Sequence, residues 1–349
     1  MEKPALVWRR VWRAFRVPLK TGAGVFHGRE SILLRLAGRD GTPSGFGEIA
    51  PWAGFGCETL DAAEDWLRDV AQNAAPDGAP PVPPAGLPCT RAAFEMVREM
   101  ASPAPGSSLP LRCAALLAPP AGPPGGADVA HLLDGARAAG FRTFKLKISA
   151  DPDSFSLATR LLGNLRDGEL LRLDANASLA PGLGDIPQAL ALWLPLLENP
   201  AIEFLEQPFS PARMEALGLG MFPARFHPKI ALDESVGAGR EFPSAWPGPL
   251  VVKPAMLPDW GSFRRWRMEN PASVVVYSSV FETAIGREAA LRLAGRDPAA
   301  AAGAHGFGTS SIFPPADPWG TPSSPDSVAA RLNWSMEQWD SWFFRNAGN

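Results

Sequence analysis

At 349 residues, with 46% hydrophobic content and a net charge of −3, the chain is long enough for a large α/β barrel plus a smaller domain, and it has no charge bias toward nucleic acid or an anionic membrane. Cys57, Cys89 and Cys113 have no metal-ligand spacing, and three cysteines do not build a disulfide framework, so a reducing cytoplasm is the expected compartment. The basic, aromatic N-terminus lacks the features of a signal peptide, and no run of about 18 uncharged apolar residues offers a membrane span.

In chain order, VWRAFRVPL (11–19) and ESILLRLAG (30–38) read as antiparallel strands, followed by a short GFGEIAP segment (45–51). Helices are expected over 58–72 and over 90–100, the second with Thr90 as its N-cap. Proline-rich connectors at 74–88, 101–110 and 118–126 cannot continue a helix or a central strand, and they bracket a boundary near residue 108. From Leu111 the rhythm changes to alternating strands and helices. The strand candidates are LRCAALL, FRTFKLKIS, LLRLDANAS, IEFLEQP, KIALDES, LVVKPAM, SVVVYSS and GAHGFGTSS. Eight such units over 109–319 indicate a (β/α) barrel, whose chemistry lies at the C-terminal strand ends. A final helix at 328–344 carries Trp334, Trp339 and Trp342, expected to pack back on the body of the protein.

Five consecutive barrel strands end in charge, in the order Lys147, Asp174, Glu206, Asp233, Lys253. Side chains alternate faces with period two, so Lys145 joins Lys147, and Arg172 and Asn176 join Asp174, on one face. Asp174, Glu206 and Asp233 come from neighbouring strands, and no cationic partner for them recurs there. Three hard oxygen donors without histidine or cysteine suit Mg²⁺, with Mn²⁺ an alternative of the same class. Lys147 and Lys253 lie on the second and sixth strands, on opposite sides of the barrel axis. Lys145 adds a like charge that favours a neutral, basic Lys147. Together these groups fit removal of a proton next to a carboxylate in a small-molecule substrate. His27, His131, His227 and His305 are scattered, and no histidine base is expected.

The motifs KLK, DAN, EQP, DES and VVKP, in this order and spacing, resemble the muconate-lactonising-type subgroup of the enolase superfamily. GEIAPWAGFGCET (47–59), SSVFETAIG (278–286) and HGFGT (305–309) look like the o-succinylbenzoate synthase branch, and the likeness runs from about Phe15 to Phe313. It implies a (β/α)7β-type barrel over 109–319 with an N-terminal α+β capping domain over 1–108, joined by the C-terminal segment 320–349. It also implies Mg²⁺-dependent dehydration of 2-succinyl-6-hydroxy-2,4-cyclohexadiene-1-carboxylate in menaquinone biosynthesis. Lys147 would take a proton and then deliver it to the departing hydroxyl, Lys253 would stabilise negative charge from the other face, and Asp174, Glu206 and Asp233 would hold the metal. Arg172 would orient the ring carboxylate region, with Asn176 nearby, Ser278 and Ser279 would help bind the succinyl tail, and Lys145 would join this substrate-binding set. Loops 19–27 and 51–56 would cover the mouth. Cys57 has no role in this resemblance. An N-acyl amino acid racemase or dipeptide epimerase would use the same five residues, and a noncatalytic binding protein could keep the fold.

Overall fold

The computed structural model describes residues 6–21, 24–37, 45–52, 55–73, 81–103, 111–117, 129–180, 182–315, 317–320 and 335–345. Residues 74–80, 104–110 and 118–126 of the proline-rich connectors lie outside them, as does Trp334. Buried and exposed residues alternate from Val11 to Phe15, and this stretch lies in β1 (Leu6–Thr21). With β2 (Gly24–Leu36) and β3 (Gly45–Ile49) it forms an antiparallel sheet in chain order. Both early strands are longer than the sequence suggested.

Two helices follow, α1 (Leu60–Gln72) and α2 (Pro88–Ala101). Thr59 caps α1 by accepting from the Ala62 amide. Thr90 does not cap α2, because Pro88 already occupies the first turn and Leu87 is the cap position. The carboxylate of Glu58 accepts instead from the Cys89 and Thr90 amides at 3.1 and 2.6 Å, a distant acid satisfying the helix start. The sheet meets α2 without a side-chain layer: a Cβ on Gly47 would stand 2.1 Å from the Ala93 carbonyl oxygen. Glycine is what allows that approach.

The barrel then runs β4 (Arg112–Leu117), α3 (Val129–Ala138), β5 (Thr143–Lys147), α4 (Pro152–Leu162), β6 (Leu170–Asp174), α5 (Ile186–Trp193), β7 (Ile202–Glu206), α6 (Pro211–Leu217) and β8 (Ile230–Ala231). It continues with β9 (Leu250–Val252), α7 (Trp260–Glu269), β10 (Val275–Tyr277), α8 (Ala284–Gly295) and β11 (Ala304–Gly308). Strands β11-β4-β5-β6-β7-β8 form one parallel sheet and β9-β10 another. Parallel bridges from Leu232 to Leu250 and from Ser278 to Gly306 join them into a ring of eight. The crossover from β8 to β9 departs from strict alternation, since residues 232–249 contain no helix. Gly237, Ala238 and Gly239 all have positive φ, and Pro243, Pro247 and Pro249 remove amide donors.

The last helix, α9 (Met336–Arg345), returns to the first sheet. Trp339 and Phe343 lie 6.2 and 5.9 Å from the Phe46 ring of β3, and Asp340 pairs with Arg35 of β2. Trp342 packs edge-on against Trp319. The expected inward packing of the C-terminal tryptophans therefore holds for Trp339 and Trp342.

Glu48 joins sheet to barrel. Its fully buried carboxylate accepts from Ser31 Oγ (2.7 Å), Thr283 N (2.8 Å), Thr283 Oγ1 (2.6 Å) and Gly286 N (3.2 Å) at the start of α8. Burial raises its pKa, and the Thr283 and Ser31 hydrogen bonds offset only part of that rise. A Cβ at residue 286 would stand 2.7 Å from the Glu48 oxygen, so glycine is required there.

His305 is a second buried titratable group with a full set of partners. Its Nδ1 accepts from the Tyr277 amide at 3.2 Å, and Nε2 donates to the Ala300 carbonyl at 2.8 Å, so the neutral ring is fully used. Protonation would set a proton on Nδ1 against an N–H donor. Burial lowers its pKa from 6.5 to about 4. An unfolded chain binds this proton first as pH falls, so the contribution is complete above pH 6.5 and is lost between 6.5 and 4. The expected loss over that window is about 3 kcal/mol. Melting curves at pH 7 and 4.5 should show a steeper acid decline in the parent than in His305→Gln; parallel declines would contradict the assignment.

Candidate active site

The strand register explains how the charged groups meet. Lys147, Asp174, Glu206 and Ala231 are paired in sequence across β5 to β8. Phe204, Ala231, Val251 and Val276 form a separate buried cluster inside the ring. Two residues further along each strand, hence on the same inward face, stand Glu206, Asp233, Lys253 and Ser278. An apolar floor thus underlies a polar layer at the C-terminal strand ends.

Above that floor lies a cavity of about 340 Å³, within the range of small-molecule sites. Lys145, Lys147, Asp174, Asn176, Asp233, Lys253, Ser278 and Ser279 all line it. Glu206, 1% exposed, lies just beneath, within 2.8 Å of the Lys145 ammonium. From the N-terminal domain come Trp52 and Phe55 of the expected loop 51–56 and Leu19, which lies in β1: the expected loop 19–27 is instead strand up to Thr21 and again from Gly24. Trp52 packs 5.0 Å from Phe26 and 5.6 Å from Phe281, whereas Phe55 lies 4.5 Å over the Lys253 ammonium. The loop therefore both anchors the domains and covers a charged group. No histidine lines the cavity.

Lysines neutralise the carboxylates. Lys145 Nζ lies 2.9 Å from Asp174 and 2.8 Å from Glu206, Lys147 Nζ is 3.7 Å from Asp174, and Lys253 contacts Asp233. This corrects the expectation that the acids lack cationic partners, because strand parity aims the lysines inward at them. It also revises the part given to Lys145, whose charge is spent on Asp174 and Glu206. Burial opposes that charge, but Asp174, Glu206 and Asp233 outweigh it and raise the Lys145 pKa. Asp174 is held low, burial being outweighed by Lys145 and Lys147. Glu206 is pushed up to about 8 by burial and by Asp174, and burial likewise raises Asp233. Asp174 thus carries its charge readily, whereas burial makes Glu206 and Asp233 resist ionisation.

The donor set itself is the test of fit for a divalent cation. Among the described residues no three acidic, imidazole or thiol side chains stand as a ready-made metal cage. The Lys145 ammonium lies between Asp174 and Glu206 instead, and Lys253 sits against Asp233; swinging these long side chains aside frees three oxygen donors on adjacent strands. The donor set fits a hard cation.

Arg172 requires a correction. Its parity is as expected, but it lies one layer deeper, beside Phe204, with its guanidinium 4.7 Å over that ring. It pairs with Glu203 at 2.7 Å and donates to the Ala304 carbonyl at the start of β11, so it points away from the cavity. Asn176 reaches the cavity at φ 43° and accepts a hydrogen bond from Lys147. Ser279 donates to Glu282 at 2.8 Å and accepts from the Phe281 amide, so it also ties its own turn.

Three organising residues escaped the sequence reading. Gln207, fully buried, accepts from the Asp233 and Ser235 amides and donates to the Phe209 carbonyl and Ser235 Oγ, fixing the segment that carries Asp233. Arg29 donates to the carbonyls of Ala50, Pro51 and Val280, joining the two loops that bear Trp52 and Phe281; burial lowers its pKa to about 10. An arginine beside an apolar strand run was the available signal. Glu234 lines the cavity with a buried Oε2 that has no hydrogen-bond partner among the described residues.

No protein-family model matches the chain. The o-succinylbenzoate synthase of Thermosynechococcus vestitus (strain NIES-2133 / IAM M-273 / BP-1) is 32% identical over 296 residues, spanning 82% of this chain and 87% of the relative. The crystal structure of o-succinylbenzoate synthase from Thermosynechococcus elongatus BP-1, complexed with Mg in the active site, superposes with a TM-score of 0.69 at 28% identity, covering 93% and 97% of the two chains. The dipeptide epimerase of Methylococcus capsulatus, complexed with Mg and L-Arg-D-Lys, shares the fold with a TM-score of 0.66 at 22% identity, covering 83% and 86%.

Proposed function

The chain belongs to the o-succinylbenzoate synthase family, and from that premise we propose roles for its residues in a Mg²⁺-dependent carbon–oxygen lyase reaction. The substrate is 2-succinyl-6-hydroxy-2,4-cyclohexadiene-1-carboxylate, and the products are o-succinylbenzoate and water. The proposed setting is menaquinone biosynthesis in the cytoplasm; among the described residues no helix is long and apolar enough to cross a membrane.

Asp174, Glu206 and Asp233 would hold Mg²⁺, which when bound supplies the charge that makes a proton next to a carboxylate acidic. Lys147, as the neutral amine, would remove that proton and, as the ammonium so formed, return it to the leaving hydroxyl on the same ring face, so one side chain serves as base and then acid. Lys253 stays protonated on the opposite side, under Phe55, and stabilises the negative charge of the ring. The unpartnered Glu234 oxygen is the acceptor left for Lys253 once Asp233 serves the cation. Asn176 orients Lys147, and Ser278 and Ser279 stand near the succinyl tail. Trp52 and Phe55 exclude water from the dianion.

The observation carrying this reading is the layer of lysines and carboxylates in one cavity of a chain of this family. The opposed lysines also suit a racemase. The test is an assay of the purified protein with Mg²⁺ on the cyclohexadiene substrate beside a panel of N-acyl amino acids. Dehydration is expected, and Lys253→Ala should lose it without gaining one-directional α-proton exchange. Racemisation without dehydration, or single-enantiomer deuterium exchange by Lys253→Ala, would favour the racemase instead.

A further inference from the structure

The charged layer uses five of the eight strand ends, from Lys147 on β5 to Lys253 on β9, so a ligand whose carboxylate meets that layer extends toward the other three. Along those ends the wall is mostly small and neutral, with Ala114, Ser278, Ser279, Gly306 and Gly308 among its members. Among the described lining residues, Phe281 is the only aromatic that the barrel supplies. It follows β10 at φ 64°, a conformation that bulky side chains rarely adopt and that persists only where the surroundings fix it. Its amide donates to Ser279 Oγ at 2.9 Å, its carbonyl accepts from Arg13 of β1 at 2.9 Å, and Arg29 of β2 holds the preceding Val280 carbonyl at 3.0 Å. Arg13 is itself paired with Asp317 at 2.6 Å and lies 3.6 Å over the Phe313 ring. The Phe281 ring stands 5.6 Å from both Phe15 and Trp52, so the N-terminal domain sets its backbone and its ring alike.

Resting on the lyase reading above, we propose that Phe281 is a specificity-determining residue: its fixed ring bounds the neutral part of the cavity and limits the acyl chain of the ligand to succinyl length. Ser278 and Ser279, the groups assigned to the succinyl tail, stand two and three residues before it and line the same wall. An acyl chain one methylene longer needs either a new position of the ring or a shift of the turn. Phe15 and Trp52 back the ring, and two arginines tie the turn, so the wall does not yield without breaking packed or hydrogen-bonded contacts. Discrimination by one methylene in an apolar pocket amounts to roughly 10- to 200-fold. Removing the ring opens that space, and glycine suits the left-handed backbone as well.

The experiment measures binding by isothermal titration of the Mg²⁺-loaded parent, Phe281→Gly and Phe281→Ala. It compares o-succinylbenzoate with its glutaryl homologue, and N-succinylphenylglycine with N-glutarylphenylglycine. The parent should prefer the shorter member of a pair by at least about tenfold. Both variants should bring the pair near parity, gaining the longer ligand while affinity for the shorter changes only a few-fold. Phe281→Gly removes the backbone strain together with the ring, so it reads the ring even if Phe281→Ala melts too early to titrate. A length preference kept by Phe281→Gly, an equal weakening of both ligands in it, or a parent that separates the members of neither pair would overturn the proposal. A parent that ignores the benzoates yet shows the length pattern on the phenylglycines removes the lyase substrate and leaves Phe281 in its role.

Discussion

Lys147→Ala should lower kcat on the order of 10³-fold at saturating Mg²⁺ while leaving the melting temperature close to that of the parent. The side chain is one-quarter exposed at the cavity wall, so its loss removes little packing. Its partner Asn176 faces the same cavity and can turn to water. What disappears is the group proposed to act in both proton transfers, and no other lysine replaces it: Lys145 is committed to Asp174 and Glu206, and Lys253 lies across the barrel. Lys147→Arg sharpens the result. Arginine keeps the positive charge but does not give up its proton, so it should be as inactive as alanine. An arginine variant retaining most of the parental rate would assign Lys147 an electrostatic role and remove it as the base.

The second large effect concerns stability. Glu48→Ala should cost about 3–4 kcal/mol and lower the melting temperature by roughly 5–10 °C. Alanine leaves the Thr283 and Gly286 amides at the start of α8 and the hydroxyls of Ser31 and Thr283 without their acceptor, in a place water does not reach. Each abandoned donor carries a desolvation penalty, and the junction between sheet and barrel loosens as well. Glu48→Gln keeps one acceptor oxygen and sheds a charge that burial disfavours, so it should fall between parent and alanine. Thermal unfolding followed by circular dichroism decides; an alanine variant melting with the parent would remove Glu48 as the connection.

Much of the site was legible because strand geometry leaves few choices. Once charge recurred at the ends of β5 to β9, period-two alternation put Lys147, Asp174, Glu206, Asp233 and Lys253 on the inner face; the register pairs the first three, and Asp233 and Lys253 line the same cavity. Depth along that face was not legible. Lys145 and Arg172 occupy paired positions, yet one reaches toward the cavity and the other toward Glu203, a choice made by partners remote in sequence. The cap of α2 failed for the same reason, since the acceptor that displaced Thr90 is Glu58. Gln207, Arg29 and Glu48 bind mainly to backbone groups that the fold delivers, and a string of residue types does not show where those will be. The helix-free crossover after β8 was signalled by Gly237, Gly239 and three prolines, but the regular spacing of neighbouring strands outweighed them.

The return of α9 to the first sheet sets an order of assembly. Phe46 is emitted from the ribosome early, while Trp339, Phe343 and Asp340, which cover it and pair with Arg35, come some 300 residues later. During synthesis the sheet waits with an aromatic face uncovered while the whole barrel is made. This sheet therefore gains its cover only after the barrel has been made, and the loops it holds over the cavity gain their full support only once α9 has followed.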